Sequence, residues 1–534
     1  MQYNLADLFE CVAKTVPDRL ALVCGDRRLT FKQLDERANR AAHMLLDAGV
    51  KQGYHIGLYL YNGTEYVEAA LAAYKIRAVP VNINFRYVEE ELRYLFTDAD
   101  LTGVVYSREF APRLAAVAPS TPMLRTFVQV DDRSGADPSG LNAIDYESTL
   151  AEESDLQDFG ERSGDDLYLI YTGGTTGMPK GVMWRQEDVF FGGLQGGNVG
   201  GAPIERPEQI GEIVASREGP TMIPVAPLMH GNGFWSCMIG LLGGGKVVLH
   251  PKFDAHAIWS LVEREKINVL SIVGDAMARP LAEALNERDY DVSSAFVISS
   301  GGAIWSEAVK QQLRQHMPNI LLVDAYGVSE TGHQGMGIAT AGSPGPRFTV
   351  DPNTAVIDDD LRPVAAGSGI VGRLARRGRM PLGYYKDETK TAATFMTDAD
   401  GVRWVIPGDM ATIDADGTVT LLGRGSICIN SGGEKIYPEE VEAALKAHPA
   451  VLDAVVVGVP DERWGERVAA VVQPRQGHAL TLEEIDAHCR THVSGYKVPR
   501  ELHLVDEVVR SPSGKADYRW AKATAMGEPP ARSR

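Results

Sequence analysis

The stretch Tyr171-Thr172-Gly173-Gly174-Thr175-Thr176-Gly177-Met178-Pro179-Lys180-Gly181 decides how the chain is interpreted. It directly follows the apolar run Leu167-Tyr168-Leu169-Ile170, which predicts a buried strand. A strand that enters a loop of glycines and threonines leaves main-chain N–H groups uncovered, and successive free amides form a site for anions. The threonine hydroxyls add donors, and Lys180 adds a mobile positive charge suited to phosphate oxygens. We interpret this segment as a loop that binds a polyphosphate.

Two other interpretations of the loop fit less well. A P-loop of the form G-x-x-x-x-G-K-[ST] needs a Ser or Thr after Gly-Lys to hold magnesium. Gly245-Lys246 is followed by Val247, and Gly514-Lys515 is followed by Ala516, so neither pair qualifies. A surface turn rich in small residues is the second alternative, and an isolated Gly/Thr cluster would favour it. The preceding strand and the closing Pro179-Lys180-Gly181 favour the binding loop.

The overall composition limits the class of protein. A chain of 534 residues is too long for one ordinary core and predicts two or more domains. Its 44% hydrophobic and 23% charged content is typical of a soluble globular protein. The net charge of −18 argues against a nucleic acid or an anionic membrane as the main partner. Five scattered cysteines without a C-x-x-C pair favour a reducing compartment and provide no disulfide or metal framework.

The sequence also indicates where the protein acts. The N-terminus has no basic region followed by an apolar run, so it does not resemble a signal peptide. The least polar stretch, around 238–249, is short and interrupted by glycines, which predicts that no transmembrane helix is present. We therefore expect a cytoplasmic enzyme, and a homodimer is compatible with the sequence.

Alternating strand-like and helix-like segments in the first hundred residues predict an α/β sheet wrapped by helices. In this region Thr30 and Gln33 predict a capping box at the start of a helix. The composition changes near Gly423-Arg424. We predict a large N-terminal α/β domain of several subdomains, residues 1–423, and a small mobile C-terminal α+β domain, residues 424–534.

A second candidate segment is Asp324-Ala325-Tyr326-Gly327-Val328-Ser329-Glu330-Thr331-Gly332, which follows the apolar run 320–323. It should lie at the carboxyl end of a strand, where α/β sheets build their sites. Tyr326 offers a flat aromatic face, Ser329 a hydroxyl for phosphates, and Glu330 a hard oxygen ligand for Mg²⁺. Taken alone, the segment would be a turn with one exposed acid. The phosphate-binding loop upstream favours the functional interpretation.

Together these segments resemble the adenylate-forming enzymes, a superfamily that includes acyl-CoA synthetases, the adenylation domains of peptide synthetases and luciferases. The loop at 171–181 resembles their signature [Y/F]-T-S-G-[S/T]-T-G-x-P-K-G, with Gly173 in place of the usual Ser. Six motifs occur in the family's order over nearly the whole chain. The resemblance implies a large and a small domain with the active site between them.

The resemblance assigns residues to ATP and its metal ion. Those implied for the phosphates are Thr172, Gly173, Gly174, Thr175, Thr176, Gly177, Lys180 and Ser329. Gly301, Gly302 and Ala303 would wall the adenine and the acyl channel, and Tyr326 would face the adenine, with Asp324 and Gly327 in the same nucleotide-binding segment. Those implied for the ribose are Asp409, in Pro407-Gly408-Asp409, and Arg424. Glu330 and Thr175 would hold Mg²⁺.

The resemblance also implies the catalytic residues and the CoA loop. Lys515, in Ser511-Pro512-Ser513-Gly514-Lys515, would neutralise charge at the α-phosphate, and Glu330 would assist through the metal. His230 would lie beside the reacting carboxylate, although a lone His is more often structural. Gly432, Gly433 and Lys435 would meet CoA in the thioester-forming step. Arg424-Gly425-Ser426 would be the hinge, with Ser426 where the family usually has Asp or Lys.

The acyl pocket is less well defined by the sequence. The glycine-rich segment 191–220 is either a flexible insertion or a mobile wall of the pocket, and Met229, Trp235 and Met238 either line the pocket or belong to the core. Met183-Trp184-Arg185-Gln186 and 274–280 resemble actinobacterial fatty-acid and steroid-side-chain CoA ligases. We therefore expect an acid–thiol ligase for an apolar carboxylic acid that uses ATP, Mg²⁺ and CoA. The alternative is transfer to a carrier-protein thiol.

Overall fold

The computed structural model describes residues 1–172, 178–303, 305–338, 347–431, 434–461, 464–510 and 514–528. Its α-helices, in chain order, are α1 (Leu5–Thr15), α2 (Phe31–Asp47), α3 (Thr64–Lys75), α4 (Glu89–Asp98), α5 (Ala111–Val117), α6 (Tyr146–Glu152), α7 (Gln186–Gly192), α8 (Gln209–Ser216), α9 (Gly231–Leu242), α10 (Ala255–Glu265), α11 (Gly274–Glu287), α12 (Glu307–His316), α13 (Glu388–Thr394), α14 (Pro438–Lys446), α15 (Leu482–Cys489) and α16 (Tyr518–Ala525). Short 3₁₀ turns occupy Arg108–Phe110, Ala118–Ser120, Gln195–Gly197 and Gly425–Ile427.

The strands, in chain order, are β1 (Leu20–Cys24), β2 (Arg27–Thr30), β3 (His55–Tyr59), β4 (Val79–Asn82), β5 (Leu101–Ser107), β6 (Thr126–Val130), β7 (Ala143–Asp145), β8 (Leu167–Thr172), β9 (Lys180–Arg185), β10 (Met222–Pro224), β11 (Val247–Leu249), β12 (Val269–Ile272), β13 (Val297–Gly301), β14 (Leu321–Val328), β15 (Gly332–Ile338), β16 (Arg347–Val350), β17 (Thr354–Ile357), β18 (Gly372–Arg376), β19 (Gly383–Tyr384), β20 (Phe395–Thr397), β21 (Arg403–Val405), β22 (Asp409–Ile413), β23 (Val419–Arg424), β24 (Ile429–Ser431), β25 (Glu434–Ile436), β26 (Val451–Asp461), β27 (Gly465–Pro474) and β28 (Glu501–Leu504).

The first part of the chain forms a parallel sheet in the order β4-β3-β5-β6-β7. Strand β3 is buried along its whole length, as expected for a parallel strand that is covered on both faces. Thr30 and Gln33 form the predicted capping box at the start of α2. The α/β alternation predicted from the sequence is confirmed here.

The largest sheet of the described residues runs in the order β2-β1-β11-β10-β12-β13-β14-β15-β16-β23-β22-β18-β21-β20, with β17 beside β18. Its central strands β11, β10, β12, β13 and β14 are parallel. Strand β14 then turns back into the antiparallel β15 through Ser329-Glu330-Thr331. Because parallel strands end at the same edge of a sheet, the segments that follow β12 and β13 meet the β14–β15 turn there.

The predicted phosphate-binding loop connects β8 to β9, an antiparallel pair to which β19 adds a third strand. Asn82, at the end of β4, holds the start of this loop in place. Its side chain accepts a hydrogen bond from Tyr171 N at 2.7 Å and donates to Tyr171 O at 2.8 Å. The same amide donates to Met229 O at 2.7 Å. One side chain therefore ties the loop to the N-terminal sheet and to the segment before His230.

The C-terminal part of the chain has a separate sheet in the order β25-β24-β27-β26, with β28 beside β27. Alternate residues of β26 face two cores: Ala454 and Val456 pack with α14 and α15, whereas Val455 and Val457 pack with α16. The last strand of the large sheet ends at Arg424, and β24 begins at Ile429. No helix in the described part of the chain is long and apolar enough to cross a membrane.

Candidate active site

A cavity of about 1110 Å³ lies between helix α9, strands β12 to β14 and the start of α16. It reaches from the carboxyl edge of the central sheet down to the other end of the same strands. The predicted site residues that line it are Thr172, His230, Gly301, Gly302, Tyr326, Gly327, Ser329 and Lys515. Residues from both ends of the chain, far apart in the sequence, therefore share one space.

The predicted ribose site contains a carboxylate whose two oxygens are both held. Tyr326 Oη donates a hydrogen bond to Asp409 Oδ2 at 2.7 Å, and Arg424 Nε lies 3.3 Å from Asp409 Oδ1. Asp409 and Arg424 face each other across the antiparallel pair β22–β23. Asp409 is only 5% exposed, and burial together with this carboxylate raises the pKa of Tyr326 well above its usual value. The three side chains form one fixed unit.

Glu330 lies in the turn between β14 and β15, and hydrogen bonds from two other strands hold this turn in place. Trp184, which is fully buried, donates from Nε1 to Ser329 O at 3.0 Å. Tyr384 Oη donates to Glu330 Oε1 at 2.9 Å, so the orientation of this carboxylate is set. Burial and Glu330 raise the pKa of Tyr384, which keeps its phenol a donor at neutral pH. The turn is thus anchored by side chains from β9 and β19.

His230 is a neutral imidazole in the wall of the cavity. It immediately precedes α9, and its buried Nε2 makes no hydrogen bond with any described residue. Burial lowers the pKa of His230 to about 4, and the positive charges of Lys515 and Arg86 act in the same direction. Because it stays uncharged at neutral pH, the ring can exchange a hydrogen bond with a substrate without carrying a charge of its own.

Lys515 enters the cavity from the C-terminal part of the chain. Burial lowers its pKa, the nearby Arg424 acts in the same direction, and Glu330 and Asp409 oppose them. The preceding Gly514 packs against the start of α11 with φ of +76°, a backbone conformation that favours glycine. The structure thus brings the predicted catalytic lysine to the predicted ribose and metal residues.

The far part of the cavity is a channel whose walls are mostly apolar. Helix α9 contributes a continuous stripe, namely Gly231, Asn232, Trp235, Ser236, Ile239, Gly240, Leu242 and Gly243. The facing wall consists of alternate residues of the three strands, namely Val269 and Ser271, Val297 and Ser299, and Leu321, Val323 and Ala325. Trp235 and Met229 line the cavity, whereas Met238 is fully buried in the core.

The segment 191–220 forms part of the channel wall. Its cavity-lining residues are Gly193, Leu194, Gln195, Gly197, Val199, Arg217, Glu218, Gly219 and Pro220. Of the two alternatives left open by the sequence, the structure therefore favours a pocket wall.

A hydrogen-bond network that the sequence did not predict forms part of the channel wall near its reactive end. Asn232 Nδ2 donates to Ile272 O at 3.0 Å and to Gly301 O at 3.2 Å. Ser271 Oγ donates to Asn232 Oδ1 at 3.0 Å and accepts from Ser236 Oγ at 2.9 Å. The network ties α9 to β12 and β13. The available signal in the sequence was Asn232, a polar residue two positions after His230 at the start of an apolar helix.

Two other residues of the site, one in the cavity wall and one behind Glu330, had no local signal in the sequence. Arg86 lines the cavity and contributes a positive charge near His230, and Tyr384 orients Glu330. Neither lies in a segment whose composition differs from an ordinary loop or strand.

Some predicted residues have their side chains engaged outside the cavity lining. Lys180 pairs with Asp387, the residue that caps α13. Asp324 lies 2.6 Å from Lys310 Nζ, and Ala303 packs at the edge of the core beneath α11 and α12. Lys180, Asp324 and Ala303 do not belong to the lining of the cavity.

Other predicted residues fall where the structure gives no description. Gly173, Gly174, Thr175, Thr176 and Gly177 of the phosphate-binding loop lie outside the described residues. The same holds for Gly432 and Gly433 and for the side chain of Lys435 in the predicted CoA loop. Their assignments stay predictions.

Comparison with known proteins identifies the family. The family model described as AMP-binding enzyme matches residues 9–385, and the model described as AMP-binding enzyme C-terminal domain matches residues 440–515. The chain is 48% identical to a 3-oxocholest-4-en-26-oate–CoA ligase of Rhodococcus rhodochrous, over 98% of this chain and 96% of that protein. It is 49% identical to a medium/long-chain-fatty-acid–CoA/3-oxocholest-4-en-26-oate–CoA ligase of Mycolicibacterium smegmatis, over 99% and 98%.

Solved structures share the same fold. The anthranilate CoA ligase AuaEII in complex with anthranoyl-AMP aligns with a TM-score of 0.85 at 23% identity, over 99% of this chain and 98% of that one. ATP-bound MatB from Rhodopseudomonas palustris aligns with a TM-score of 0.82 at 23% identity, over 98% and 99%. At such identities the likeness concerns the fold alone, and it confirms the predicted architecture of a large and a small α/β unit. The chain belongs to the AMP-binding enzyme family, as its resemblance to adenylate-forming enzymes implied.

Proposed function

We propose that the protein is an AMP-forming acyl-CoA synthetase, which activates an apolar carboxylic acid with ATP and transfers the acyl group to CoA. One observation carries the proposal: a single cavity joins Lys515 and His230 to the apolar channel along α9. A carboxylate at the junction would face the charged residues, while its hydrocarbon part would lie in the channel.

The acid is proposed to be a medium- to long-chain fatty acid or a steroid side-chain acid. The names of the relatives at 48% and 49% identity support these two classes. The channel itself is consistent with them, since its far end is bordered by exposed apolar side chains, namely Val199, Phe296, Leu321 and Met336. A long or bulky acid would extend into this end of the channel and gain from the removal of apolar surface from water.

In the first half-reaction, a carboxylate oxygen of the acid attacks the α-phosphorus of ATP, and pyrophosphate leaves. Lys515 would offset the negative charge that develops on the α-phosphate and the attacking oxygen. Asp409 would accept the ribose hydroxyls, with Arg424 and Tyr326 holding its two oxygens in place. His230, uncharged, would position the acyl carboxylate by a hydrogen bond. Catalysis would come from positioning and charge neutralisation, without a covalent enzyme intermediate.

The site also fits the magnesium ion that accompanies ATP. Magnesium bound with a nucleotide uses one or two carboxylates together with phosphate oxygens and water. Glu330 supplies one carboxylate, and the hydrogen bond from Tyr384 orients it. The ion would neutralise phosphate charge when bound. Thr175, the other proposed ligand, lies outside the described residues.

In the second half-reaction, CoA thiol attacks the acyl carbon and releases AMP. We propose that residues 424–534 form a mobile domain that turns about Gly425, withdraws Lys515 and brings Gly432, Gly433 and Lys435 to the adenylate. The 3₁₀ turn Gly425–Ile427, between the two sheets, is compatible with a hinge at this point. The cytoplasm, where ATP and CoA are available, is the proposed location, and a homodimer is proposed as the assembly.

The test is pyrophosphate release from Mg·ATP with a panel of short, medium, long-chain and steroid side-chain acids. We expect acid-dependent pyrophosphate and acyl–AMP without CoA, and acyl-CoA plus AMP when CoA is added. A panel that yields no acyl–AMP from any acid would reject the function. Transfer to a phosphopantetheinyl carrier protein in preference to CoA would instead support the alternative acceptor.

A further inference from the structure

The loop that carries Lys515 is closed by contacts between its two ends. Arg510 and Ala516 form an antiparallel bridge, and Asp517 N donates to Val509 O at 3.4 Å. The residues on either side of 511–513 are therefore held against each other. What determines the place of Lys515 is how the residues next to it are held.

Arg510 contacts this loop through a side chain that is itself fixed. Its Nε and Nη2 donate to the two carboxylate oxygens of Asp453, each at 2.6 Å. Its Nη1 donates to Gly514 O at 3.1 Å. A guanidinium is a rigid, planar fork, so two bonds to Asp453 determine where the third donor points. The main-chain carbonyl that it reaches belongs to the residue directly before Lys515.

Asp453 is in turn held by the body of the C-terminal sheet. Lys446 Nζ, at the end of α14, lies 3.3 Å from Asp453 Oδ1, and the Lys446 side chain is almost completely buried. Ala454 N donates to the same oxygen at 2.8 Å. An irregular register in β26 between Val451 and Asp453 accompanies this arrangement. A continuous chain of contacts therefore links α14, through Asp453 and Arg510, to the lysine loop.

Gly514, whose carbonyl accepts the hydrogen bond from Arg510, also contacts the start of α11. A Cβ atom added to Gly514 would lie 3.1 Å from Ala276 Cβ and 3.3 Å from Val273 Cγ1. The Gly514 backbone thus approaches the start of α11 closely. A shift of Gly514 would move Lys515 directly, since the two residues are adjacent.

We propose that Arg510, fixed by Asp453, is the positioning residue that sets Lys515 for the adenylation step; this rests on the proposed function. Arg510 acts through the Gly514 carbonyl, whereas Lys515 contacts the reacting groups. Once Lys515 has left the site for the thioester-forming step, the hydrogen bond from Arg510 to Gly514 no longer affects the rate of the reaction. The two half-reactions should therefore depend on Arg510 very differently.

The decisive variant is Arg510→Lys, which keeps the positive charge and removes the rigid fork. Adenylation is measured as pyrophosphate release, and thioester formation is measured from supplied acyl-adenylate and CoA. Since a misplacement of about 1 Å can cost about 100-fold in rate, we expect adenylation to fall by about 100-fold. Thioester formation from the adenylate should stay within about threefold. In the Lys515→Ala background, Arg510→Lys should cause no further loss, because the two residues act as a unit.

Asp453→Asn provides a second route to the same result if Arg510→Lys folds poorly, and it should show the same split. Arg467→Lys is the matched control: Arg467 also forks onto a carboxylate of the C-terminal sheet, with Nε 2.8 Å from Glu501 Oε1. It should leave both half-reactions unchanged. Equal losses in both half-reactions, or an additive loss with Lys515→Ala, would overturn the positioning role. A wild-type protein that makes no acyl–AMP would instead reject the proposed function.

Discussion

The two ends of the cavity are built in different ways. At the nucleotide end, the two carboxylates have defined partners: Asp409 is held by Tyr326 and Arg424, and Glu330 is held by Tyr384. At the acyl end, the walls beyond the Asn232 network are mostly apolar residues on one face of α9 and on alternate positions of β12, β13 and β14.

This difference determines what substitutions should do. A charge-assisted hydrogen bond depends on one residue type in one geometry, so its loss cannot be repaired by a neighbour. Apolar contacts depend on volume, and several side chains of similar size can replace one another. Changes at the nucleotide end should therefore lower activity with every acid, whereas changes at the acyl end should alter which acids are accepted.

The largest effect is expected for Lys515→Ala. Removing a group that stabilises developing charge costs up to about 1000-fold in rate, and we expect a loss of that order in adenylation with every acid. Thioester formation from supplied adenylate should be unaffected. Pyrophosphate release and acyl-CoA formation from the adenylate are measured separately. Lys522→Ala, which removes a half-exposed lysine on α16, is the control and should change neither. A parallel fall of both half-reactions would contradict the assigned role.

Asp409→Asn should have the next largest effect. The amide keeps the shape of the side chain but loses the charge that Tyr326 and Arg424 hold. We expect kcat/KM for ATP to fall by about 100-fold, equivalent to about two charge-assisted hydrogen bonds. The ratios of kcat/KM among the different acids should not change, and these ratios are the quantity to measure. Asp359→Asn, at a fully exposed carboxylate, serves as the control. A changed acid preference would show that the two ends are not independent.

Ile239→Trp should have a smaller and selective effect. Ile239 lines the channel near the end of α9, about 12 Å along the helix from Gly231 at about 1.5 Å per residue. The larger ring should fill the channel, so kcat/KM should fall by about tenfold for long acids and stay the same for short ones. The KM for ATP should not change. Ile239→Leu conserves volume and is the control. An equal loss with short and long acids would contradict the proposed path of the acyl chain.

The difference between the nucleotide end and the acyl end also explains what could be predicted from the sequence. The family assignment and the α/β fold were predicted and are confirmed, because short motifs such as the one around Tyr326 keep their residue types together in the chain. The contact between Tyr326 and Asp409 spans 83 positions and depends on how β14 lies relative to β22, which no local pattern encodes.

Strand register explains where other side chains point. Val323 and Ala325 line the cavity, so Asp324 between them faces the other side of the sheet, where it meets Lys310. The alternation was visible in the sequence, but the face that borders the cavity was not. For the acyl channel the sequence offered the segment 191–220, Met229 and Trp235 only as one of two alternatives, since the channel exists only once three strands are in register beneath α9.

A buried carboxyl group in the C-terminal part of the chain, that of Glu439, also lies near Asp409 at the nucleotide end of the cavity. Glu439, in the first turn of α14, lies against Gly423 at the end of β23. Its buried Oε2 has no hydrogen-bond partner among the described residues. Burial, together with the neighbouring carboxylates of Glu442 and Asp409, raises the pKa of Glu439 to about 8. Glu439 is therefore protonated in the folded protein at neutral pH.

The smallest expected effect concerns stability and follows from this proton. Because the unfolded chain releases the Glu439 proton near its ordinary pKa of about 4.3, the stability supplied by the neutral carboxyl is complete below that pH and decreases up to about pH 8. Glu439→Gln stays neutral throughout, so its melting temperature should exceed that of the wild type by a gap that widens from pH 5.5 to 8.5 to several degrees. Glu507→Gln, at an exposed carboxylate, should show no such widening. A constant gap for Glu439→Gln would mean that this carboxyl is ionised in the folded state.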